Sequence, residues 1–146
     1  MPDTTPPLPG IDQLRALMES DVTLAMGRTL GFHLVEIGEG RVVFEGTPGR
    51  EVYNPLGTVH GGYAATLLDS ACGCAVHTML TAEQAYSTLE LKVSYHRAMT
   101  AETGTVRAVG TVISLGRRAG FSEARLTDAS GRLYASATST LIIMQR

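Results

Sequence analysis

Apolar residues recur at Ile11, Leu14, Leu17, Met18, Val22 and Ala25, with Asp12 and Glu19 on the opposite side. That spacing predicts a short amphipathic helix from Ile11 to about Met26, lying against a larger body. Phe32, Leu34 and Ile37 then suggest a strand and Val42 to Phe44 a second, joined by a hairpin turn at Gly38, Glu39 and Gly40. An irregular stretch from Pro48 to Gly57 follows. Tyr63 to Leu80 is rich in Ala, Leu and Met, free of Pro and apolar nearly all round, which predicts a helix wrapped by other structure. Gly57, Gly61 and Gly62 mark its start. Beyond it Leu89, Leu91, Val93 and Tyr95 alternate with Thr88, Glu90, Lys92 and Ser94, the period of a strand. Residues 103–115, Phe121 to Leu126 and Leu133 to Ile143 read as three more strands, separated by turns at Gly116 to Gly120 and Asp128 to Gly131.

Helix, hairpin, buried helix and antiparallel meander predict an α+β hot-dog fold: one curved antiparallel sheet wrapped around a long central helix, with an extra N-terminal helix. No repeat or linker divides the chain. Residues 10–146 therefore read as one domain, behind a Pro-rich lead at residues 1–9 expected to be disordered. The open edge of such a sheet calls for a second copy, so a homo-oligomer is expected, a dimer or a dimer of dimers.

Composition narrows the function classes. The 146 residues are 44% hydrophobic and 18% charged, and 12 Lys+Arg against 14 Asp+Glu leave a net charge of -2 with no basic run. That argues against nucleic acid as a partner. No apolar stretch reaches membrane-spanning length, and the N-terminus lacks the basic and apolar regions of a secretory signal, so a cytoplasmic protein without a membrane partner is expected. Cys72 and Cys74 read as small buried apolar residues. His33, His77 and His96 show no metal spacing, and no phosphate loop or serine-hydrolase motif is present, so neither metal nor cofactor is expected.

Asp69 stands alone in an apolar helix, with no Lys or Arg between Arg50 and Lys92. An ionised carboxylate there is costly unless hydrogen-bonded or used in chemistry; a partly exposed or loop-capping Asp is the competing reading. At the helix entrance stand His60, Gly61 and Gly62. Backbone N–H groups of a first turn lack helical partners, and glycine lets a carbonyl approach them closely, although a Gly-rich turn before a helix is common in itself. Asp69 lies eight residues beyond Gly61, roughly 12 Å along one helix. One helix brings both to one carbonyl poorly, whereas two antiparallel copies can. If both groups serve one reaction, the site is shared between two copies.

The run from Asn54 through His60, Gly61 and Gly62, then Asp69, then TLELKVSYHRA at 88–98, resembles the phenylacetic-acid-degradation (PaaI) type of acyl-CoA thioesterase, with its HGG-x(6)-[DE] pattern. The likeness extends from about Phe32 to Ile143. It implies an acyl-CoA substrate, with Asp69 as nucleophile or general base and the Gly61 N–H polarising the thioester carbonyl. Asn54 and His60 would orient carbonyl, loop or water, and Thr88 would lie across the site from Asp69. Gly62, Arg117 and Arg118 would meet the CoA moiety, the paired Arg suiting phosphate. A homotetramer is usual in that family. Some aryl-CoA relatives carry Thr where this chain has Gly73, a helix-interior glycine costing roughly 1 kcal/mol against Ala. Room beside Asp69 is the expected benefit, and it leaves the choice among aryl and medium- or long-chain acyl groups open. Two other readings rank lower. A hot-dog enoyl-CoA hydratase would carry its catalytic His where Gly57 stands, and a non-catalytic acyl-CoA-binding module has no need of Asp69 opposite Gly61.

Overall fold

A computed structural model describes residues 6–20 and 25–146. Helix α1 (Gly10–Glu19) is followed by α2 (Ala25–Leu30), β1 (Phe32–Gly38), β2 (Arg41–Gly46), α3 (Gly61–His77), β3 (Gln84–Tyr95), β4 (Val106–Leu115), β5 (Ala119–Asp128) and β6 (Leu133–Gln145). The strands form one six-stranded antiparallel sheet in the order β1-β2-β4-β5-β6-β3. This is the expected hot-dog architecture. Among the described residues no helix is long and apolar enough to cross a membrane.

The central helix is buried around most of its circumference, and between its end residues Gly61 and His77 only the stripe of Gly62, Ala65, Thr66, Asp69 and Ser70 keeps some exposure. Leu67, Leu68, Ala71, Cys72, Ala75 and Val76 are wholly enclosed, and the sheet supplies Val42, Phe44, Val106, Ala108, Leu126 and Leu141 against them. It lies tight against the sheet at Gly110, mid-β4, where a Cβ would stand 2.2 Å from the Ala71 carbonyl oxygen. A glycine inside a strand marks such an approach of two backbones. Burial pushes the Cys72 thiol up to about 11 and the Cys74 thiol to about 12, so both are inert apolar packing at neutral pH, as their position suggested.

Three details differ from the expected elements. The first helix stops at Glu19, where Ser20 turns extended and donates both its backbone N–H and its hydroxyl to carbonyls of the last turn. Ala25 and Met26 belong to the separate helix α2, and Val22 falls outside the described residues. The central helix begins at Gly61 and ends at His77, shifted toward the N-terminus relative to Tyr63–Leu80. Strand β3 is interrupted: its pairing with β6 slips between Thr88 and Glu90, so Leu89 bulges out and is 64% exposed. The bulge reverses the alternation, so Tyr86 and Thr88 share the helix-facing side with Leu91 and Val93.

Candidate active site

The helix entrance is built by the loop ahead of it. Asn54 folds that loop around its own side chain: Oδ1 accepts from the Leu56 and Thr58 N–H groups at 2.9 and 3.2 Å, and Nδ2 donates to the Thr58 hydroxyl at 3.0 Å. Gly57 adopts φ +84° there, a left-handed conformation that glycine takes without strain. The loop returns to the body when the His60 N–H donates to the Val52 carbonyl and the Val59 N–H to the Met99 carbonyl.

His60 caps α3. Its Nδ1 accepts from the Gly62 N–H at 2.8 Å. The ring proton must therefore reside on Nε2, and the imidazole offers an N–H outward. Gly62 has spent its backbone donor on this cap. Gly61 has not: its N–H finds no partner among the described residues, at the positive end of a 17-residue helix. The Gly61 carbonyl accepts from the Tyr95 hydroxyl at 2.7 Å, and the Tyr95 ring leans over the glycine, where a Cβ would meet it at 3.0 Å. Asn54, His60, Gly61, Gly62 and Tyr95 line one cleft of about 550 Å³, together with Met99, Tyr134 and the 96–98 segment. Tyr95 was not singled out from sequence; its place at the end of an alternating strand, on the helix-facing side, was the available signal.

Two turns further along α3, Asp69 faces β3 instead of this cleft. It is half-buried, and the Thr88 hydroxyl donates to its Oδ1 at 3.1 Å. A hydroxyl donor fixes the carboxylate's rotamer and leaves Oδ2 for another partner. The bulge at Leu89 makes this contact, since in an unbroken strand Thr88 would face the other way. Gly73, one turn beyond Asp69, does not open room for a substrate: the Tyr86 ring fills that space, within 2.9 Å of where a Cβ would stand.

Arg117 and Arg118 are exposed at the β4–β5 turn, near the C-terminal end of α3, where Gly120 packs on Val76. Within a single chain the expected site residues thus fall into three groups: Asp69 with Thr88, the cleft at Gly61, and the arginine turn. No group of side chains with metal-binding composition occurs among the described residues.

Residues 56–135, just over half of the chain, match the family model described as the thioesterase superfamily. A 1,4-dihydroxy-2-naphthoyl-CoA hydrolase of Listeria monocytogenes is 20% identical over 84% of this chain and 98% of its own. Among solved structures, a thioesterase family protein from Silicibacter pomeroyi is 26% identical with a TM-score of 0.82, covering 94% of this chain and 99% of that one. A phenylacetic acid degradation-related protein from Ralstonia eutropha is 25% identical with a TM-score of 0.79, covering 88% and 98%. The chain belongs to the thioesterase superfamily and is a thioester hydrolase of the PaaI hot-dog type.

Proposed function

We propose that the chain hydrolyses aryl- or medium- to long-chain acyl-CoA to the free acid and CoA, in the cytoplasm, at a site shared by two copies. The observation that carries this reading is the Asp69–Thr88 contact: a half-buried carboxylate held, among the described residues, by one neutral donor, with its second oxygen uncommitted. Asp69 either takes a proton from water as that water attacks the thioester carbonyl, or attacks the carbonyl itself. In the first route the water oxygen bonds to the carbonyl carbon, Asp69 holds the proton, and the C–S bond breaks to release CoA thiolate, which is then protonated. In the second, the Asp69 carboxylate displaces CoA thiolate as the C–S bond breaks, and water then opens the mixed anhydride to free acid and regenerated Asp69. Both routes build negative charge on the carbonyl oxygen, and the unpartnered Gly61 N–H suits that charge.

Helix geometry supports the shared site. Asp69 and Gly61 lie roughly 12 Å apart on one straight helix. Antiparallel pairing sets the Gly61 of the partner subunit opposite Asp69. Strand β3 is a sheet edge of twelve residues on the Asp69 side, and its free backbone groups suit pairing with the same strand of a second copy, in a dimer or a dimer of dimers. Asn54 holds the loop, the His60 Nε2–H orients carbonyl or water, and the exposed Arg117 and Arg118 serve the CoA phosphates, while Gly62, its N–H committed to the His60 cap, offers the CoA moiety a surface without a side chain.

The test is thiol release from a panel of acyl- and aryl-CoA esters, wild type against Asp69→Asn. A fall in kcat of about a hundredfold or more with folding intact is expected. Equal turnover by both proteins would make Asp69 structural. No release from any ester would favour a binding module or a hydratase.

A further inference from the structure

Resting on the proposed chemistry at Asp69, one further role emerges from the strip where α3 lies against β3. Asp69 meets Thr88, and Gly73 meets Tyr86. The two contacts are in step: four residues of helix rise about 6 Å, and two residues of strand span about 6.6 Å. Tyr86 is therefore the next side chain along the strip beyond Thr88. Its ring lies on the Gly73 backbone and meets the His77 ring edge-on, with centroids 5.6 Å apart. Its hydroxyl sits beside the Cys74 thiol, and the rest of it packs on the cluster of Val76, Leu80, Leu141 and Ile143.

A thioester carbonyl held at Asp69 has two directions for its acyl group. Toward the start of α3 the strip opens at exposed His60 and Gly62, beside the polar Asn54 loop. Toward the end of α3 the strip is walled by the Gly73 backbone and the Tyr86 ring, ahead of the His77 ring, and an apolar acyl group takes that direction. There it meets the Tyr86 ring within one helical turn. Gly73 gives the ring its seat: any larger residue would expel the ring, so the helix-interior glycine has a packing reason.

We propose that Tyr86 is the specificity-determining residue of this site, a wall across the α3–β3 strip that removes the medium- and long-chain acyl groups from the range given above and leaves the compact ones, single-ring or short-chain. The ring's volume does this, not its hydroxyl.

The test compares kcat/KM for butyryl- and benzoyl-CoA with that for lauroyl- and palmitoyl-CoA in wild type, Tyr86→Phe, Tyr86→Leu and Tyr86→Ala, with folding checked by circular dichroism. Wild type and Tyr86→Phe are expected to favour the compact esters. Tyr86→Leu and Tyr86→Ala should shift the ratio toward the long esters by about tenfold or more, the scale of one or more methylenes admitted to a pocket. Tyr86→Leu preserves an apolar filler should Tyr86→Ala fail to fold. A parallel loss on all esters, with the ratio unchanged, makes Tyr86 merely structural and overturns the proposal. So does a Tyr86→Phe shift as large as that of Tyr86→Ala. Absence of thiol release by wild type from every ester overturns the thioesterase reading of the site itself, and the role of Tyr86 with it.

Discussion

Replacing Gly110 by Ala tests whether the helix must sit as deep in the sheet as it does. The added Cβ would stand 2.2 Å from the Ala71 carbonyl oxygen, 2.4 Å from its carbon and 3.0 Å from the Ala71 Cβ. Ordinary contact lies near 3.5 Å, so strand and helix must part by roughly 1 Å. No side-chain rotamer relieves a clash between two backbones. The cost belongs at the upper end of the overpacking range, about 3 kcal/mol. At about 2–4 °C per kcal/mol for a chain of this size, Tm should fall by about 6–12 °C. Ala71 is two residues beyond Asp69, so the same displacement moves the carboxylate away from its partners, and a 1 Å misplacement costs about a hundredfold in rate. Thermal melting followed by circular dichroism, with thiol release measured well below the transition, reads both effects. Thr111→Ala, one residue along and facing outward, serves as control. A Gly110→Ala Tm within about 2 °C of wild type would refute the reasoning, since the helix would then have slack at this contact.

Thr88→Val removes the donor to Asp69 Oδ1 and keeps the shape. A hydrogen bond to a charged group is worth about 1.5–3 kcal/mol, and the half-exposed setting selects the lower end, so kcat should fall about tenfold with Thr88→Ser restoring most of it. An undiminished kcat in Thr88→Val would remove Thr88 from the site. His77 is held below its ordinary pKa first by burial and then by Arg146, and its Nδ1 is enclosed without a partner among the described residues. Because the unfolded chain accepts this proton at a higher pH than the folded one, the native state is penalised as pH falls below about 6.5. Urea midpoints measured from neutral to mildly acid pH should decline, and less steeply in His77→Gln, whose side chain carries no proton to take up. Parallel declines in both proteins would exclude His77 as the source.

Much of the fold was legible because two periodicities carry it. The unbroken apolar run of α3 and the alternating strands needed no tertiary information, and tight turns at Gly38–Gly40 and Asp128–Gly131 fixed the hairpins. The early stop of α1 was not legible, since Ala25 and Met26 continue its apolar pattern in a separate helix. Nor was the β3 bulge: Leu89 fits the phase of Leu91 and Val93 by composition, yet points outward. In the site, Asp69 and Gly61 stood out by chemistry and by their separation, whereas Tyr95 read only as a strand aromatic and Tyr86 fell ahead of the predicted strand. Their roles depend on which glycine each ring covers, a contact between residues 13 or more positions apart that no local pattern encodes.

Helix α3 bears both the Gly61 N–H and Asp69 on a single rod without a break. In the proposed antiparallel pair, an axial slip of one rod toward its own N-terminus is matched by an equal slip of the other in the opposite direction in space. Donor and carboxylate then separate by twice the slip, and at both sites alike. Such a pair behaves as a vernier: it amplifies sliding along the helix axis. The lock against sliding lies in the sheet, where the backbone at Gly110 presses on Ala71, so the accuracy of the reaction geometry is governed from the side of the helix that never faces the substrate.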